Sequence, residues 1–182
     1  MPINIQTLRN YNNNKVFVET GSYIGDGIKL AQDAGFSKII SIEIAKQFVD
    51  HCRNRFKDNP NIQIVQGDSS EVLWDVIKDI SEPITFWLDG HYSGGNLPTG
   101  KYLSPLIQEI DIIGNHPIKA HTILIDDMRC WREMNNIYHN NFDSNMLVNK
   151  LREVNPNYNI TFVDGMQTFG EILPKDILTA TI

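Results

Sequence analysis

The sequence predicts an α/β fold: a single doubly wound, Rossmann-like and mostly parallel sheet of seven strands, with an antiparallel strand pair at the C-terminal end. Two observations predict this class. Apolar runs typical of buried strands alternate with segments of helical periodicity along most of the chain, which is the pattern of successive β-α units. The last two strand-like segments follow each other closely, as antiparallel neighbours do. A length of 182 residues suits one domain over residues 1–182 and is enough to bury a core.

Composition and charge exclude several classes of function. The chain carries 16 basic and 22 acidic residues, a net charge of −6 at pH 7, so binding to nucleic acid is not expected. No apolar run approaches the roughly 20 residues of a membrane-spanning helix, and no secretion signal is recognisable at the N-terminus. Cys52 and Cys130 lack the spacing of a metal site and need not form a disulfide. We therefore expect a cytoplasmic protein with no membrane partner.

The most informative segment is the first predicted strand with the turn that follows it. Residues 16–18 form an apolar run that ends in the acid Glu19, and a helical pattern begins at Ile28. Between them lies a turn with glycines at positions 21, 25 and 27. In open α/β sheets this place holds a nucleotide-like ligand, and glycines allow the backbone to approach it closely. A turn formed by glycines that take no part in binding is the alternative.

The glycine spacing argues against a dinucleotide cofactor. A G-x-G-x-x-G fingerprint counted from Gly21 requires glycines at positions 23 and 26, where the chain has Tyr23 and Asp26. The carboxylate of Glu19 suits a cationic or hydroxyl-bearing ligand better than a diphosphate. A dinucleotide-dependent enzyme is therefore kept only as an alternative.

The following segments repeat the strand and helix pattern. Strands are predicted over 38–44, 61–66, 84–88 and 121–125, and helices over 45–57, 69–80 and from Asp143 or Ser144 to Val154. Strand-like runs over 158–163 and 168–173 flank Asp164 and Gly165, which predicts a hairpin with its turn at this pair.

Acidic residues stand near the carboxyl ends of the predicted strands, where the ligands of such sheets bind. They are Glu19, Glu43, Asp68, Asp89, Asp126 and Asp127. Glu43 lies about 20 residues beyond the glycine turn, where a ribose-binding acid belongs.

Three of these acids are candidate metal ligands. If the fourth and fifth strands are neighbours, Asp89, Asp126 and Asp127 converge and repel one another unless some stay protonated or a cation lies among them. Mg²⁺ prefers oxygen ligands, so these carboxylates suit it. The alternative is that one of them caps a helix and another pairs with Arg129 or Arg132.

Three further residues are candidates for chemistry or for cofactor contacts. His91 lies two residues past Asp89, so both side chains face the same way on an extended segment. A histidine beside a metal-bound hydroxyl can take its proton near neutral pH, which makes His91 a candidate base, whereas most lone loop histidines are surface residues. Asp68 can accept a hydrogen bond from an adenine amine with Ser69 assisting, or it can simply cap the helix that follows.

The glycine-rich stretch over 90–102 lies at the same edge and is either a connector or a substrate-covering loop. Residues 95–101 match the first seven positions of a phosphate-binding P-loop. Tyr102 nevertheless replaces the Ser or Thr that would hold Mg²⁺, and residues 90–94 separate the match from the preceding strand. A nucleotide-hydrolysing enzyme is therefore an alternative that this motif supports poorly.

Five segments, taken in order, resemble the class I S-adenosylmethionine-dependent methyltransferases. They are Val-Glu-Thr-Gly-Ser-Tyr-Ile-Gly (18–25), Ser-Ile-Glu-Ile (41–44), Gly-Asp-Ser (67–69), Leu-Asp-Gly-His-Tyr (88–92) and Ile-Asp-Asp (125–127). More narrowly, the chain is similar to the metal-dependent O-methyltransferases, which include catechol O-methyltransferase and the macrocin-type tailoring enzymes. The resemblance implies transfer of a methyl group from S-adenosylmethionine to a hydroxyl of a small molecule or carbohydrate, assisted by Mg²⁺ or Mn²⁺.

The resemblance also implies roles for single residues. The matching cofactor-binding positions are Glu19, Gly21, Ser22, Tyr23, Glu43, Asp68, Ser69 and Asp89, and the matching metal ligands are Asp89, Asp126 and Asp127. Glu43 matches the acid that holds both ribose hydroxyls, and Asp68 and Ser69 match the adenine contacts. His91 falls where macrocin-type enzymes carry an acidic base and catechol-type enzymes carry an aromatic cofactor contact, so its role as the catalytic base stays open.

The substrate-covering helices that usually precede the first strand in this family are mostly missing from the sequence. The resemblance therefore implies an open site, a larger substrate or cover from another subunit, which allows a homo-oligomer. A non-catalytic binding module with the same fold is the non-enzyme alternative.

Overall fold

The computed structural model describes residues 3–92, 94–129, 144–166 and 170–182. The strands are β1 (Val16–Thr20), β2 (Lys38–Glu43), β3 (Ile62–Gln66), β4 (Ile84–Leu88), β5 (Thr122–Ile125), β6 (Asn159–Met166) and β7 (Ile172–Thr181). The helices are α1 (Ile5–Asn10), α2 (Asp26–Ala34), α3 (Lys46–Arg55), α4 (Ser69–Ile77), α5 (Leu106–Asn115) and α6 (Ser144–Val154). None of these described helices is long and apolar enough to cross a membrane. Cys130, Arg132, Asp143 and Thr168, which the sequence predictions used, lie outside the described residues.

One sheet of seven strands, in the order β3-β2-β1-β4-β5-β7-β6, organises the described chain. β1 to β5 are parallel, and β7 is antiparallel to both β5 and β6. The chain moves outward from β1 through β2 to β3 and then returns to β4 on the other side of β1. This reversal confirms the predicted doubly wound sheet. Such sheets bind ligands in the crevice at the carboxyl ends of the strands where the order reverses.

Helices cover both faces of the sheet because its central parallel strands are apolar on both sides. All residues of β1 are buried, with Val16 and Val18 packed on one face and Phe17 on the other. α4, α5 and α6 contribute to the first face, and α1, α2 and α3 contribute to the second. The core therefore fixes the strand ends from which the candidate site is built.

The C-terminal strand pair differs from the prediction in the position of its turn. β6 continues past Asp164 and Gly165, so the predicted turn at this pair is wrong. The second strand is β7 rather than residues 168–173. The pairing of β6 with β7 shifts register at this point. Such a shift is typical of a β-bulge, which commonly accommodates a glycine inside a strand. Asp164 Oδ1 accepts a hydrogen bond of 2.9 Å from the backbone N–H of Lys175 in β7.

Candidate active site

A cleft of about 620 Å³ opens where the sheet order reverses, at the carboxyl ends of the parallel strands. The site residues predicted from the sequence line this cleft, with the exception of Glu19. They are Gly21, Ser22, Tyr23, Glu43, Asp68, Ser69, Asp89, His91, Asp126 and Asp127. Residues of the 97–102 stretch and Arg129 complete its walls.

Gly21 brings the ends of β1 and β4 together. Its φ is +85°, and a Cβ at this position would lie 2.3 Å from the carbonyl oxygen of Asp89. The sheet ladder continues past both strands, since Asp89 N–H donates to Thr20 O at 3.1 Å. The glycine is therefore required by the approach of the protein's own backbone, which places Asp89 beside the turn.

The Glu43 carboxylate is held by two backbone groups. Its Oε2 accepts a hydrogen bond from Tyr23 N–H and its Oε1 accepts one from Ala45 N–H, both at 2.8 Å. The side chain is buried but lines the cleft. Each carboxylate oxygen has a second lone pair, so the group can still accept hydrogen bonds from hydroxyls of a ligand.

Tyr23 provides an exposed aromatic surface at the edge of the cleft. Its side chain is 58% exposed, and its ring packs against Phe48 of α3 in an edge-on arrangement with the centroids 4.6 Å apart. Tyr23 adopts a positive φ of 46°, a conformation that is uncommon for a bulky residue and is often found at functional sites. The turn is therefore shaped to present this ring to the cleft.

Glu19 lies away from the cleft surface and is fully buried. Its Oε2 accepts a hydrogen bond of 2.5 Å from the Ser41 hydroxyl, which is itself 2.5 Å from the hydroxyl of Ser22. Burial raises the pKa of Glu19 to about 8, so the group is largely protonated at neutral pH. Within the described residues, Glu19 is linked to the cleft through Ser41 and Ser22, and Ser22 lines the cleft.

Asp68 joins α4 to the glycine-rich stretch. Its Oδ1 accepts a hydrogen bond of 2.9 Å from Ser70 N–H and so caps α4, and its Oδ2 accepts one of 2.6 Å from Lys101 N–H. A Cβ on Gly100 would lie 2.2 Å from Oδ2, so a larger residue there would displace the Asp68 carboxylate. Asp68 is thus both a helix cap and an anchor for the segment above the cleft.

An acidic cluster occupies the other end of the cleft, after β4 and β5. His91 lies between two of its carboxylates, with Nε2 2.8 Å from Asp127 Oδ2 and Nδ1 3.5 Å from Asp89 Oδ1. One ligand-type atom from each of these three residues falls within 4.8 Å of the others. Asp126 N–H donates to Leu88 O at 3.1 Å, which continues the ladder and holds Asp126 beside the end of β4.

Asp176 of β7 belongs to the same cluster but was missed by the sequence analysis. It is fully buried, and with Asp126 and Asp127 it forms a second group whose ligand-type atoms lie within 4.8 Å of one another. Arg129 donates to Asp176 through its backbone N–H at 2.7 Å and through its guanidinium, which also lies 2.6 Å from Asp127 Oδ1. Asp127 is thus shared between His91 and Arg129, as the prediction of an arginine partner allowed.

The pKa values of the clustered groups are driven apart. Burial raises the pKa of Asp89 to about 7 and that of Asp126 well above its usual range, and neighbouring carboxylates add to both shifts. Burial alone would raise the pKa of Asp127, but the hydrogen bond from His91 and the charge of Arg129 outweigh it and lower the pKa. Burial would lower the pKa of His91, but Asp127 and Asp89 raise it. Asp126 and Asp127 are adjacent in the sequence, yet their pKa values are shifted in opposite directions.

The described donors form two groups that share Asp127, one with Asp89 and His91 and the other with Asp126 and Asp176. Both groups are rich in the oxygen ligands that suit a hard divalent cation. Asp126 is 3% exposed, and its Oδ2 has no hydrogen-bond partner in the described part of the chain. A buried carboxylate oxygen without a partner is costly unless a proton or a cation accompanies it. The neighbouring donors are carboxylates and an imidazole, of which the carboxylates match the oxygen preference of Mg²⁺.

A further buried acid, Glu109 of α5, lies behind the cleft and was not predicted from the sequence. It is 1% exposed, and burial raises its pKa to about 7, while the hydroxyls of Ser69 and Thr20 moderate the shift. A Cβ on Gly90 would lie 3.2 Å from Glu109 Oε1. The sequence signal was available, since Leu106, Ile110 and Ile113 mark one apolar helix face, and an acid at position 109 falls on that same face.

The comparisons with known proteins support the fold. No protein-family model matches the chain, and none of the curated proteins matches it. The O-methyltransferase from Bacillus cereus, solved in complex with SAH, has a TM-score of 0.66 at 13% identity, covering 98% of this chain and 79% of that one. The O-methyltransferase TomG from Streptomyces achromogenes, solved in complex with SAM, has a TM-score of 0.65 at 11% identity, covering 98% and 77%.

A third similar structure is named as an rRNA methyltransferase. The 23S rRNA methyltransferase ErmE has a TM-score of 0.57 at 16% identity, covering 97% of this chain and 66% of that one. The three similar structures are all methyltransferases, two of them named as O-methyltransferases. At these identities the likeness establishes architecture and leaves the acceptor open. The chain therefore has the fold of the class I S-adenosylmethionine-dependent methyltransferases.

Proposed function

We propose that this chain is an S-adenosylmethionine-dependent O-methyltransferase that acts on a hydroxyl of a small molecule or carbohydrate with the help of a divalent cation. One observation carries the proposal: a single cleft joins the fixed carboxylate of Glu43 to the cluster of Asp89 and Asp127. The first group suits a ribose and the second suits a cation with an acceptor oxygen. A methyl donor that lies across the cleft would be bound at its ribose by Glu43 and would have its methyl group near the acceptor oxygen at the cluster.

The cofactor half of the cleft favours S-adenosylmethionine over a dinucleotide. Glu43 can accept hydrogen bonds from two ribose hydroxyls, because its backbone partners leave lone pairs free. The N-terminus of α2 begins with Asp26, whose carboxylate lies 2.7 Å from Arg55. A diphosphate at that helix end would meet this carboxylate, whereas dinucleotide sites rely on an unobstructed helix N-terminus.

The acceptor half supplies positioning and a base. When bound, S-adenosylmethionine provides an electrophilic methyl group, and a divalent cation held by Asp89, Asp126 and Asp127 lowers the pKa of the acceptor hydroxyl. His91 Nε2 donates to Asp127, which fixes the ring and leaves Nδ1 as the nitrogen that accepts the hydroxyl proton. Alignment of acceptor and donor by the two halves of the cleft supplies the rest of the rate enhancement.

Charge favours a small acceptor. The chain has a net charge of −6, and the acceptor half of the cleft is itself rich in carboxylates. RNA would be repelled by this surface, because affinity for nucleic acid depends largely on neutralising phosphates. A neutral or cationic hydroxyl compound, or a sugar, meets no such penalty. The similarity to ErmE makes rRNA the competing acceptor to include in the test.

The proposal is tested in two steps on the full chain. Calorimetry with S-adenosylhomocysteine, NAD and ATP is expected to show binding of the first compound alone. Transfer of labelled methyl from S-adenosylmethionine to a panel of catechols, sugars and rRNA is then measured with Mg²⁺ and with EDTA. We expect transfer to a hydroxyl compound that EDTA abolishes. Binding of NAD in place of S-adenosylhomocysteine would refute the cofactor, and transfer that persists in EDTA would refute the cation.

A further inference from the structure

The buried carboxyl of Glu109 has no part in the mechanism above, although it lies directly behind the acceptor half of the cleft. Its Oε1 is separated from the cleft by Gly90, and it has no hydrogen-bond partner within the described ranges of the chain. A side chain that contributed only packing would be apolar at a position 1% exposed, as Ile110 and Ile113 of the same helix are. The hydroxyls of Ser69 and Thr20 act on this carboxyl, but Oε1 still calls for a polar partner of its own.

A small cavity connects Glu109 to the acidic cluster. It has a volume of about 10 Å³, close to the smallest that holds one water molecule. Glu109 and Asp126 both line it, together with His91 and Asp127. Two residues with unpartnered, buried carboxyl oxygens, Glu109 Oε1 and Asp126 Oδ2, thus border the same polar space.

One water molecule in this cavity satisfies the requirements of both acids. Water carries two O–H donors, and each can be donated to one carboxyl oxygen, while its own oxygen remains available to a cation or another donor. Partners of this kind orient the residues that ligate metals and are commonly needed for tight metal binding. An apolar side chain in place of Glu109 would leave the water without its second acceptor.

We infer that Glu109 is a positioning residue of the cation site, which holds Asp126 in place for a divalent cation through a water molecule in this cavity. The inference rests on the proposed function, since it requires a cation at the cluster of Asp89, Asp126 and Asp127. Glu109 does not line the cleft proposed for the acceptor and the methyl donor, so it is not a catalytic residue. Its effect is on the affinity for the cation.

The experiment measures Mn²⁺ binding to the full chain by electron paramagnetic resonance, without any turnover. Glu109→Leu keeps much of the bulk of the side chain but removes both acceptor oxygens. We expect this variant to bind Mn²⁺ about 10-fold or more weakly than the unmodified protein, which is the usual loss when the supporting partner of a metal ligand is removed. Asp111→Asn is the matched control, because Asp111 lies on the same helix and pairs at the surface with Lys150. The control is expected to bind Mn²⁺ with unchanged affinity.

The outcomes separate this inference from the proposed function. If the unmodified protein binds no Mn²⁺, the cation of the proposed function is refuted and the role of Glu109 with it. If the unmodified protein and Glu109→Leu bind Mn²⁺ equally, only the role of Glu109 is refuted. A crystal structure of the unmodified protein with Mn²⁺ tests the point without a variant. We expect an ordered water bonded to both Glu109 and Asp126, and a cavity without water would overturn the inference.

Discussion

Glu43 Oε2, at the end of β2, accepts a hydrogen bond of 2.8 Å from the backbone N–H of Tyr23 in the turn after β1. With the second bond from Ala45 N–H, it fixes the carboxylate at the point where the strand order reverses. The same bond holds the turn that presents the Tyr23 ring. The conformation of the turn and the position of the acid therefore depend on each other.

The substitution Glu43→Gln tests this arrangement. The amide replaces one acceptor with an NH₂ group that faces a backbone N–H, and the remaining oxygen cannot hold two hydroxyls. We expect S-adenosylhomocysteine to bind at least about 10-fold more weakly by calorimetry, since a hydrogen bond to a charged group contributes about 1.5–3 kcal/mol. Glu71→Gln, at an exposed position of α4, is the control. Equal affinities of the two variants would rule out Glu43 as the ribose ligand.

The close approach of β1 and β4 gives a second prediction. Gly21→Ala places a methyl group 2.3 Å from the Asp89 carbonyl oxygen, in addition to the cost of a positive φ. Gly35→Ala has a similar φ of +97° but meets no atom within 4 Å, so it carries the backbone cost alone. In urea denaturation we expect a loss of about 1 kcal/mol for Gly35→Ala and about 3 kcal/mol for Gly21→Ala. Equal losses would show that the contact with Asp89 is unimportant for stability.

The sheet and most of the residues of the candidate site could be predicted because the signals are local. Apolar runs such as Val16–Thr20 mark strands by themselves, and the acids that follow them share one edge wherever the strands are parallel. Glu43, Asp89 and Asp126 were found in this way, and all three line the cleft. The turn predicted at Asp164 was wrong because Asp-Gly pairs occur both in hairpin turns and in β-bulges, and the local sequence does not distinguish the two.

The residues that were missed depend on tertiary contacts. Asp176 is recognisable as part of the site only through Arg129, which lies 47 residues away in the sequence. Glu109 falls on the apolar face of α5, which the sequence marks, but its place behind Gly90 follows only from the packing of the helix. The burial of Glu19 follows from the approach of Ser41 on the neighbouring strand. None of these pairings has a spacing that the sequence alone would reveal.

Asp126 is the residue that best separates cation binding from cofactor binding. Asp126→Asn retains the side-chain shape but weakens the donor whose Oδ2 has no protein partner within the described residues. We expect Mn²⁺ affinity, measured by electron paramagnetic resonance, to fall at least about 10-fold, while the affinity for S-adenosylhomocysteine stays within about two-fold. Parallel losses of both affinities would indicate a general collapse of the cleft. Unchanged Mn²⁺ binding would place the cation elsewhere.

His91 is expected to act in the chemical step. In His91→Ala we expect kcat to fall about 100-fold or more with little change in KM for the acceptor, because a positioned base contributes about 10²–10⁴-fold. His51→Ala, on the exposed side of α3, controls for the loss of an imidazole. An unchanged rate at saturating substrate would assign proton removal to another group.

At the opposite end of the sheet, hydrogen bonds define which ring nitrogen carries the proton in each of two buried histidines. Ile84 N–H donates to His121 Nδ1 at 3.1 Å, so the neutral His121 ring carries its proton on Nε2. That Nε2 lies 3.1 Å from His116 Nδ1, and His116 Nε2 lies 3.1 Å from Ile80 O. A consistent assignment has His121 donating to His116, which donates in turn to Ile80. A proton added to His121 Nδ1 would break the bond from Ile84.

This pair predicts a loss of stability in acid that can be assigned to His121. Burial and the neighbouring His116 lower the pKa of His121 from 6.5 to about 4, so the unfolded chain binds this proton more readily than the folded one. The contribution of His121 to the free energy of unfolding is complete above pH 6.5 and is lost as the pH falls toward 4, by up to roughly 3 kcal/mol.

Glu19 and Glu109, with raised pKa values, titrate with the opposite sign. The quantity to measure is therefore the difference in the free energy of unfolding between the unmodified protein and His121→Asn. The Asn carbonyl can still accept from Ile84 N–H but does not titrate. We expect urea denaturation to show the stability advantage of the unmodified protein shrinking between pH 6.5 and 4, and a difference that stays constant over this range would contradict the assignment.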